Sequence, residues 1–258
     1  MAMVMTARTL LPYFSGTSNI VVPLRQSEYP PEFRGASRLT YYASLFSSLE
    51  VNATFYKLPK GATVRKWSES VPDGFRFTFK VPKTVTHAKG FQFASEDIER
   101  FAEVVAEAGD KRGCLLLQLP PSAKRERHEE LEGVLQSLSE EAPGWTLAVE
   151  LRDNSWYERS VYRLLQHYQA VLVSHDMPAS ATPPVQLSER SVYLRYHGPE
   201  GGYRGSYPDE FLAGEADRIA GWLKDGREVY AYFNNTMGAA LANLQTLNAL
   251  VAQRTDAR

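Results

Sequence analysis

At 258 residues, with 43% hydrophobic and 23% charged residues, the chain is long enough to bury one large core. A formal net charge of -1 lacks the bulk basic excess of a protein that coats nucleic acid, yet leaves room for a local positive cleft. The single cysteine, Cys114, lies in an apolar run and reads as a small buried hydrophobe. It excludes a disulfide framework or a zinc–cysteine site and points to a reducing, cytoplasmic compartment.

No apolar run reaches membrane-spanning length, and Met1 to Pro12 is too weakly apolar for a secretory signal. Residues 1–12 are expected to be a frayed start, 13–252 a single domain and 253–258 a polar, disordered tail. A monomer is compatible with the sequence, which does not fix the oligomeric state.

In chain order, Tyr13 to Ser18 reads as a strand running into small residues, followed by a Pro-rich loop at Tyr29-Pro30-Pro31. Ser37 to Phe46 has helical spacing, with Leu39, Tyr42, Ala43 and Phe46 on one face. Leu49 to Phe55 alternates with period two and reads as a strand. A short helix around Val64 to Ser70 precedes Phe75 to Val81, the cleanest alternation in the chain. Ser95 is placed as the N-cap of a helix to Ala108, stopped by Gly109.

Cys114 to Leu119 is near-continuously apolar, as a buried parallel strand is. A helix over Glu129–Ser139, a strand ending in Glu150, a helix over Glu158–Tyr168 and a strand over Ala170–Asp176 follow. Val192 to His197, Asp209 to Lys224, Val229 to Phe233 and Ala239 to Ala252 complete the alternation of strand and helix. The order implies a single α/β (β/α)8 barrel of TIM type, with one crossover helix missing after the sixth strand, where Pro178, Pro183 and Pro184 oppose a helix. An open doubly wound sheet is the alternative. No Gly-x-Gly-x-x-Gly follows a strand, so no nucleotide cofactor is expected.

Strand side chains alternate between faces. In a barrel the outward face packs on helices, and inward residues at the carboxyl ends form the site. Opposite the apolar face, this parity places Glu50, Asn52 and Thr54 on the second strand and Arg76, Thr78 and Lys80 on the third. It adds Gln118 on the fourth, Glu150 and Arg152 on the fifth, and Ser174 and Asp176 on the sixth. The last two strands supply Tyr193, Arg195 and His197, then Tyr230, Tyr232 and Asn234. His175 falls on the other parity and is expected to face outward or into a loop. Such a nearly balanced set of charges suits either a salt-bridged barrel plug or a polar active site.

The motifs Ser15-Gly16-Thr17-Ser18, Glu50-Val51-Asn52-Ala53-Thr54-Phe55-Tyr56, Phe77-x-Phe79-Lys80 with Thr86-His87, and Gln118-Leu119-Pro120-Pro121 occur in that order. Ala148-Val149-Glu150-x-Arg152 with Ser155-Trp156, Tyr193-Leu194-Arg195-x-His197-Gly198 and Tyr232-Phe233-Asn234-Asn235 follow. Together they resemble the YecE-like family, domain of unknown function seventy-two, from about Tyr13 to Val251. The resemblance implies a TIM-type barrel, related in architecture to metal-dependent endonuclease IV and xylose-isomerase-like barrels, and supplies no established reaction. After Ser18 the chain departs from the family's Gly-Trp and aromatic-rich loop, having Asn19-Ile20-Val21-Val22-Pro23 instead.

The first chemical reading is a hydrolase or lyase acting on a phosphorylated or nucleic-acid substrate. Lys80, Arg152 and Arg195 would bind anionic oxygens. Glu150 or Glu50 would serve as base, His197 as acid or base, and Asp176 would complete the catalytic set. Asn52, His87, Gln118, Tyr232, Asn234 and Asn235 are candidate substrate contacts. Asn234 to Gly238 leads into the last helix, where free backbone N–H groups favour phosphate. A divalent metal is a candidate cofactor through His87, His197, Glu50, Glu150 and Asp176, although no close His pair marks the site. Gly201 to Tyr207 reads as a stacking lid or as an ordinary surface loop. A sugar or sugar-phosphate isomerase-like enzyme, and a non-catalytic ligand-binding or scaffold protein, are the other two readings.

Overall fold

A computed structural model describes residues 12–185 and 187–256. Of the stretch expected to be frayed only Pro12 is among them, and residues 257–258 of the expected tail also lie outside. The strands are β1 Tyr13–Thr17, β2 Ser48–Val51, β3 Arg76–Lys80, β4 Arg112–Gln118, β5 Thr146–Glu150, β6 Val171–Leu172, β7 Ser174–His175, β8 Ser191–Tyr196 and β9 Glu228–Phe233. Between them run α1 Arg38–Leu45, α2 Ala53–Tyr56, α3 Gly61–Glu69, α4 Lys83–Thr86, α5 Ser95–Ala106, α6 His128–Glu141, α7 Arg159–His167, α8 Asp209–Lys224 and α9 Ala240–Asp256. No helix among the described residues lies between β7 and β8, where the prolines were expected to prevent one.

Every strand pair is parallel. The pairing divides into a four-stranded sheet, β1-β9-β8-β7, and a five-stranded sheet, β2-β3-β4-β5-β6. The architecture is thus TIM-barrel-like, but its hydrogen bonding is not one uninterrupted ring. Both seams have a local cause. Between β1 and β2, the Tyr42 hydroxyl accepts from Thr17 N at 2.7 Å and donates to Ser48 O at 3.0 Å, standing in for a direct ladder bond. Only a single bridge, Ser18 to Glu50, joins the strands there. Gly16 is required at this seam, because a Cβ on it would lie 2.0 Å from Ser48 O. At the other seam, Thr182 takes the ladder groups: its Oγ1 accepts from His175 N at 3.1 Å and donates to Val173 O at 2.8 Å.

Alternation is what sorts the layers. Leu49, Phe77, Phe79, Leu115, Leu117, Leu147 and Val149 point outward and pack with helix residues such as Ile98, Val134 and Leu165. Each fully buried side chain of this kind contributes roughly 1.5–3 kcal/mol of hydrophobic stabilisation. The inward set, Cys114, Leu116, Ala148, Val171, Val173, Tyr193, Tyr230 and Tyr232, forms a separate buried cluster against Phe14.

Four local expectations are corrected. The strand read through Phe55 stops at Val51: Asn52 is right-handed helical (φ -81, ψ -12), and Thr54 Oγ1 donates to Val51 O and Lys80 O. The N-cap of α5 is Ala94 rather than Ser95. Because Val171 and Val173 belong to the inward cluster, parity on β6–β7 is shifted by one residue from the sequence reading, and His175 is buried rather than turned outward. Finally, α9 continues to Asp256, where a polar tail was expected from 253.

Candidate functional site

At the carboxyl ends of the strands the inward charges meet in one connected, buried network. Glu50, at the end of β2, receives Arg195 Nη2 on Oε1 at 2.7 Å and Arg195 Nε on Oε2 at 2.9 Å, a bidentate pair. Ser18 Oγ donates to Glu50 Oε1 at 2.6 Å and Tyr193 Oη to Oε2 at 2.7 Å. Arg195 Nη1 reaches on to Glu150 Oε2 at 2.5 Å, and Glu150 Oε1 accepts from Arg152 Nε. One guanidinium therefore bridges two carboxylates from β2 and β5. All of Glu50, Glu150, Arg195 and His197 are essentially without solvent exposure.

His197 continues the chain. Its Nδ1 lies 3.2 Å from Asp176 Oδ1, while Nε2 lies 3.0 Å from Arg152 Nη2 and 3.3 Å from Arg195 Nη1. With two guanidinium donors on one side and a carboxylate on the other, the neutral ring carrying its proton on Nδ1 satisfies every partner. Asp176 also accepts from His197 N at 2.8 Å and from the Tyr207 hydroxyl, which itself accepts from Gly198 N at 2.6 Å.

These contacts set the protonation states. Burial on its own would raise the Glu50 and Glu150 carboxyls, but Arg195 beside both, with Arg152 beside Glu150, holds them below the usual range. Asp176 is also lowered: burial opposes this, and the bonds from His197 and Tyr207 outweigh it. Burial pushes His197 down against the pull of Asp176, and takes His175 down to about 4. Lys80 falls to about 8, chiefly by burial and then by the Arg195 charge, against the attraction of Glu150 and Glu50.

Lys80 sits beside the network rather than within it. Its Nζ donates to Gln118 Oε1 at 2.7 Å and lies 4.1 Å from the centre of the Phe55 ring. Phe55 in turn packs edge-on against His87 at 4.9 Å, and His87 is exposed. Asn52 is half-buried, and its Oδ1 is buried with no hydrogen-bond partner.

Other expected contacts are placed elsewhere. Tyr232 is fully buried inside the barrel, with its hydroxyl bonded to Ser48 Oγ at 2.6 Å and Thr78 Oγ1 at 2.8 Å. Asn235 is buried and spans Gly205 O and Asn243 Oδ1, tying the 198–207 loop to α9. Asn234 is half-buried and pairs its backbone N with Tyr196 O at 2.7 Å. The backbone donors before α9 are also engaged, Met237 N by Tyr203 O and Ala239 N by Gly205 O. That end of the helix is covered by the chain itself.

The Gly-rich loop is folded onto the site. Tyr203 N donates to His197 O at 2.8 Å, the Tyr203 ring stands 5.8 Å from the His197 ring, and Tyr207 is buried. Gly198 permits this through a positive φ of 100°, where a Cβ would strike Arg204 O at 2.2 Å.

Four contributors were not among the expected site residues. Ser18 continues the inward parity of Phe14 and Gly16 and was legible on that ground. Tyr193 was placed inward by parity, but nothing in the pattern tied it to Glu50. His175, whose Nε2 lies 2.8 Å from Leu151 O, was hidden by the shifted parity. Tyr207 closes the Gly201–Tyr207 loop, read as a stacking lid or a surface loop, but nothing in that composition tied its hydroxyl to Asp176.

A resident divalent metal does not fit these residues. Among the described residues no three His, Cys, Asp or Glu side chains are grouped to hold one. The oxygens of Glu50 and Glu150 already accept from arginines, and His197 Nε2 faces two guanidinium groups. No helix among the described residues is long and apolar enough to cross a membrane.

A family model described as "Protein of unknown function DUF72" matches residues 22–258. UPF0759 protein YecE of Escherichia coli K12 is 34% identical over 102 residues, 39% of this chain and 38% of that protein, so the matched stretch spans well under half of YecE. UPF0759 protein YunF of Bacillus subtilis 168 is 23% identical over 249 residues, covering 84% of this chain and 87% of YunF. Among solved structures, a DUF72 family protein from Enterococcus faecalis V583 superposes with a TM-score of 0.76 at 22% identity, covering 93% of this chain and 95% of its own. A DUF72 family protein from Thermotoga maritima gives 0.70 at 26% identity, covering 92% and 98%.

Proposed function

The chain belongs to the DUF72 family, and from that premise we propose that the mouth formed by its strand ends is an active site for a small phosphorylated substrate, with hydrolase- or lyase-type chemistry. One observation carries the proposal: the cations are divided unequally between interior and mouth. Arg195 spends its guanidinium on Glu50 and Glu150. Arg152 uses Nε and Nη2 in the network and leaves Nη1 without a partner among the described residues. The Lys80 amine has a single hydrogen bond among the described residues, to a neutral amide. Arg152 and Lys80 therefore keep donors for an anion at the open end of a network in which Glu50 and Glu150 are already paired with arginines.

On this reading the buried residues position and the outer ones act. Glu50, Glu150, Arg195 and His197 hold the mouth in shape, and Lys80, Arg152 and Asp176 meet the substrate. We propose that the two sheets together close as a single barrel, joined by the Ser18–Glu50 bridge and by the chain running from β6 through Val173 into β7. Nucleic acid presents the same phosphate chemistry in a larger form.

Titration calorimetry with inorganic phosphate tests the binding step. Arg152→Ala and Lys80→Met should each weaken binding by about tenfold or more, the scale of one charge-assisted hydrogen bond. Binding unchanged in both variants would remove the mouth as the anion site. A second reading rests on the absence of exposure at Glu50, Glu150, Arg195 and His197: the mouth binds without turnover. Phosphate affinity without hydrolysis or cleavage of any phosphorylated compound in a general screen would select it.

A further inference from the structure

Lys80 is the one cation of this cluster that has no carboxylate partner within ion-pair distance among the described residues. Arg152 and Arg195 are both ion-paired to glutamates. Its stem rises from the carboxyl end of β3, and its amine rests on the Phe55 ring on one side and on Gln118 Oε1 on the other. The Gln118 amide is itself fixed, since Nε2 donates to Leu119 O at 2.7 Å, so the oxygen is held toward the amine. A single neutral acceptor positions Nζ without requiring it to be charged. An apolar wall together with nearby cations is the environment that turns a lysine into an amine nucleophile.

From this geometry we propose that Lys80 Nζ forms a Schiff base with an aldehyde or ketone substrate that also carries an anionic group, which Arg152 binds. The inference deepens the phosphorylated-substrate reading and rests on it for the role of Arg152. In the step, the Nζ lone pair attacks the carbonyl carbon, and the carbonyl oxygen takes up a proton to give a carbinolamine. The C–O bond then breaks and water departs, carrying the two hydrogens of the neutral amine, and a C=N bond remains. No oxidant or reductant is consumed. The imine is an electron sink, which suits cleavage or proton removal next to the former carbonyl rather than phosphate hydrolysis.

The charge surroundings support reactivity near neutral pH. Burial and Arg195 lower the amine, with Arg152 adding to them, while Glu150 and Glu50 oppose, and the net value is about 8. On the adjoining loop, the His87 ring packs one edge on Phe55, and that partial burial together with Lys80 lowers it, so it adds no fixed positive charge at neutral pH.

The test uses the whole chain with pyridoxal 5'-phosphate, an aldehyde bearing a phosphate, followed by borohydride reduction and peptide mass mapping. Lys80 should be labelled at least about tenfold faster than the exposed Lys57 and Lys60. Its labelling rate should rise with an inflection near pH 8 rather than near the ordinary lysine value, and Arg152→Ala should slow it. Lys80→Met, checked for an unchanged melting temperature, should lose that label alone. Labelling of Lys80 no faster than of Lys57 would overturn the inference, and if phosphate still binds at the mouth the broader reading survives. Conversely, fast labelling by uncharged acetaldehyde without phosphate binding would keep the nucleophile and overturn the phosphorylated substrate.

Discussion

Arg195→Ala is expected to destabilise the protein by about 3–5 kcal/mol, the largest effect of any single charge removal in the chain. The guanidinium is buried and makes charged hydrogen bonds to both Glu50 and Glu150. Its removal leaves Glu50 with only Ser18 and Tyr193 as donors, and Glu150 with only Arg152. Glu50, a buried carboxylate deprived of its arginine counter-ion, then carries the desolvation cost, while Glu150 keeps the Arg152 pair. Denaturant unfolding checks the magnitude. The double variant Arg195→Met, Glu50→Gln should regain most of the loss, because it removes the carboxylate left unpaired and keeps Glu150 paired with Arg152. A single variant within about 1 kcal/mol of the parent would mean that water reaches these carboxylates, contrary to their burial.

Acid should destabilise the protein in two stages, and the sign follows from the direction of each shift. His175 titrates near 4 when folded, against 6.5 when free. Its neutral form is favoured by folding, so its contribution is complete above pH 6.5 and is lost as the pH falls toward 4. The difference corresponds to something on the order of 3 kcal/mol. His197, also lowered, acts in the same direction. Glu50 and Glu150 form the second stage. Their folded values lie below the free value of 4.5, so their contribution is present above it and disappears as the pH falls through the folded values. Melting temperature measured from pH 8 to pH 3 should fall on both limbs. His175→Gln, whose amide can still donate to Leu151 O, should flatten the first limb and leave the second. A wild-type curve flat between pH 6.5 and 4.5 would contradict the assignment.

Most of this site was legible because strand parity is a rigid geometric rule. Glu50, Lys80, Gln118, Glu150, Arg152, Arg195 and His197 each follow from alternation along a strand whose other face is apolar. Parity failed where strands end or break. Asn52 lies just past the end of β2, where the backbone turns helical although the residue pattern still alternates. Ser174 was assigned inward together with Asp176, yet Val173 and His175 face in, and Thr182 from the following loop engages Val173 O and His175 N. Asp176 nevertheless reaches His197, because it has left the strand and is no longer bound by parity.

The two seams were invisible for a related reason. Each is created by one hydroxyl, on Tyr42 or Thr182, that replaces a backbone partner, and no periodicity records such a substitution. Tyr232 shows the complementary limit: parity places a side chain inward but does not give its depth. Its hydroxyl ends on Ser48 and Thr78, in the buried interior. The Asn234–Gly238 turn has the composition of an anion site, yet the 203–205 backbone already occupies Met237 N within it and Ala239 N just beyond it. Composition cannot report that a distant loop has folded over a helix end.

The most direct test of the mouth as an anion-binding active site is an anomalous-difference map from crystals soaked in tungstate. The expected result is a tungsten site within hydrogen-bonding reach of both Arg152 Nη1 and Lys80 Nζ, with the Arg195–Glu50 and Arg195–Glu150 pairs intact. Tungstate bound elsewhere, with only water between Arg152 and Lys80, would contradict it.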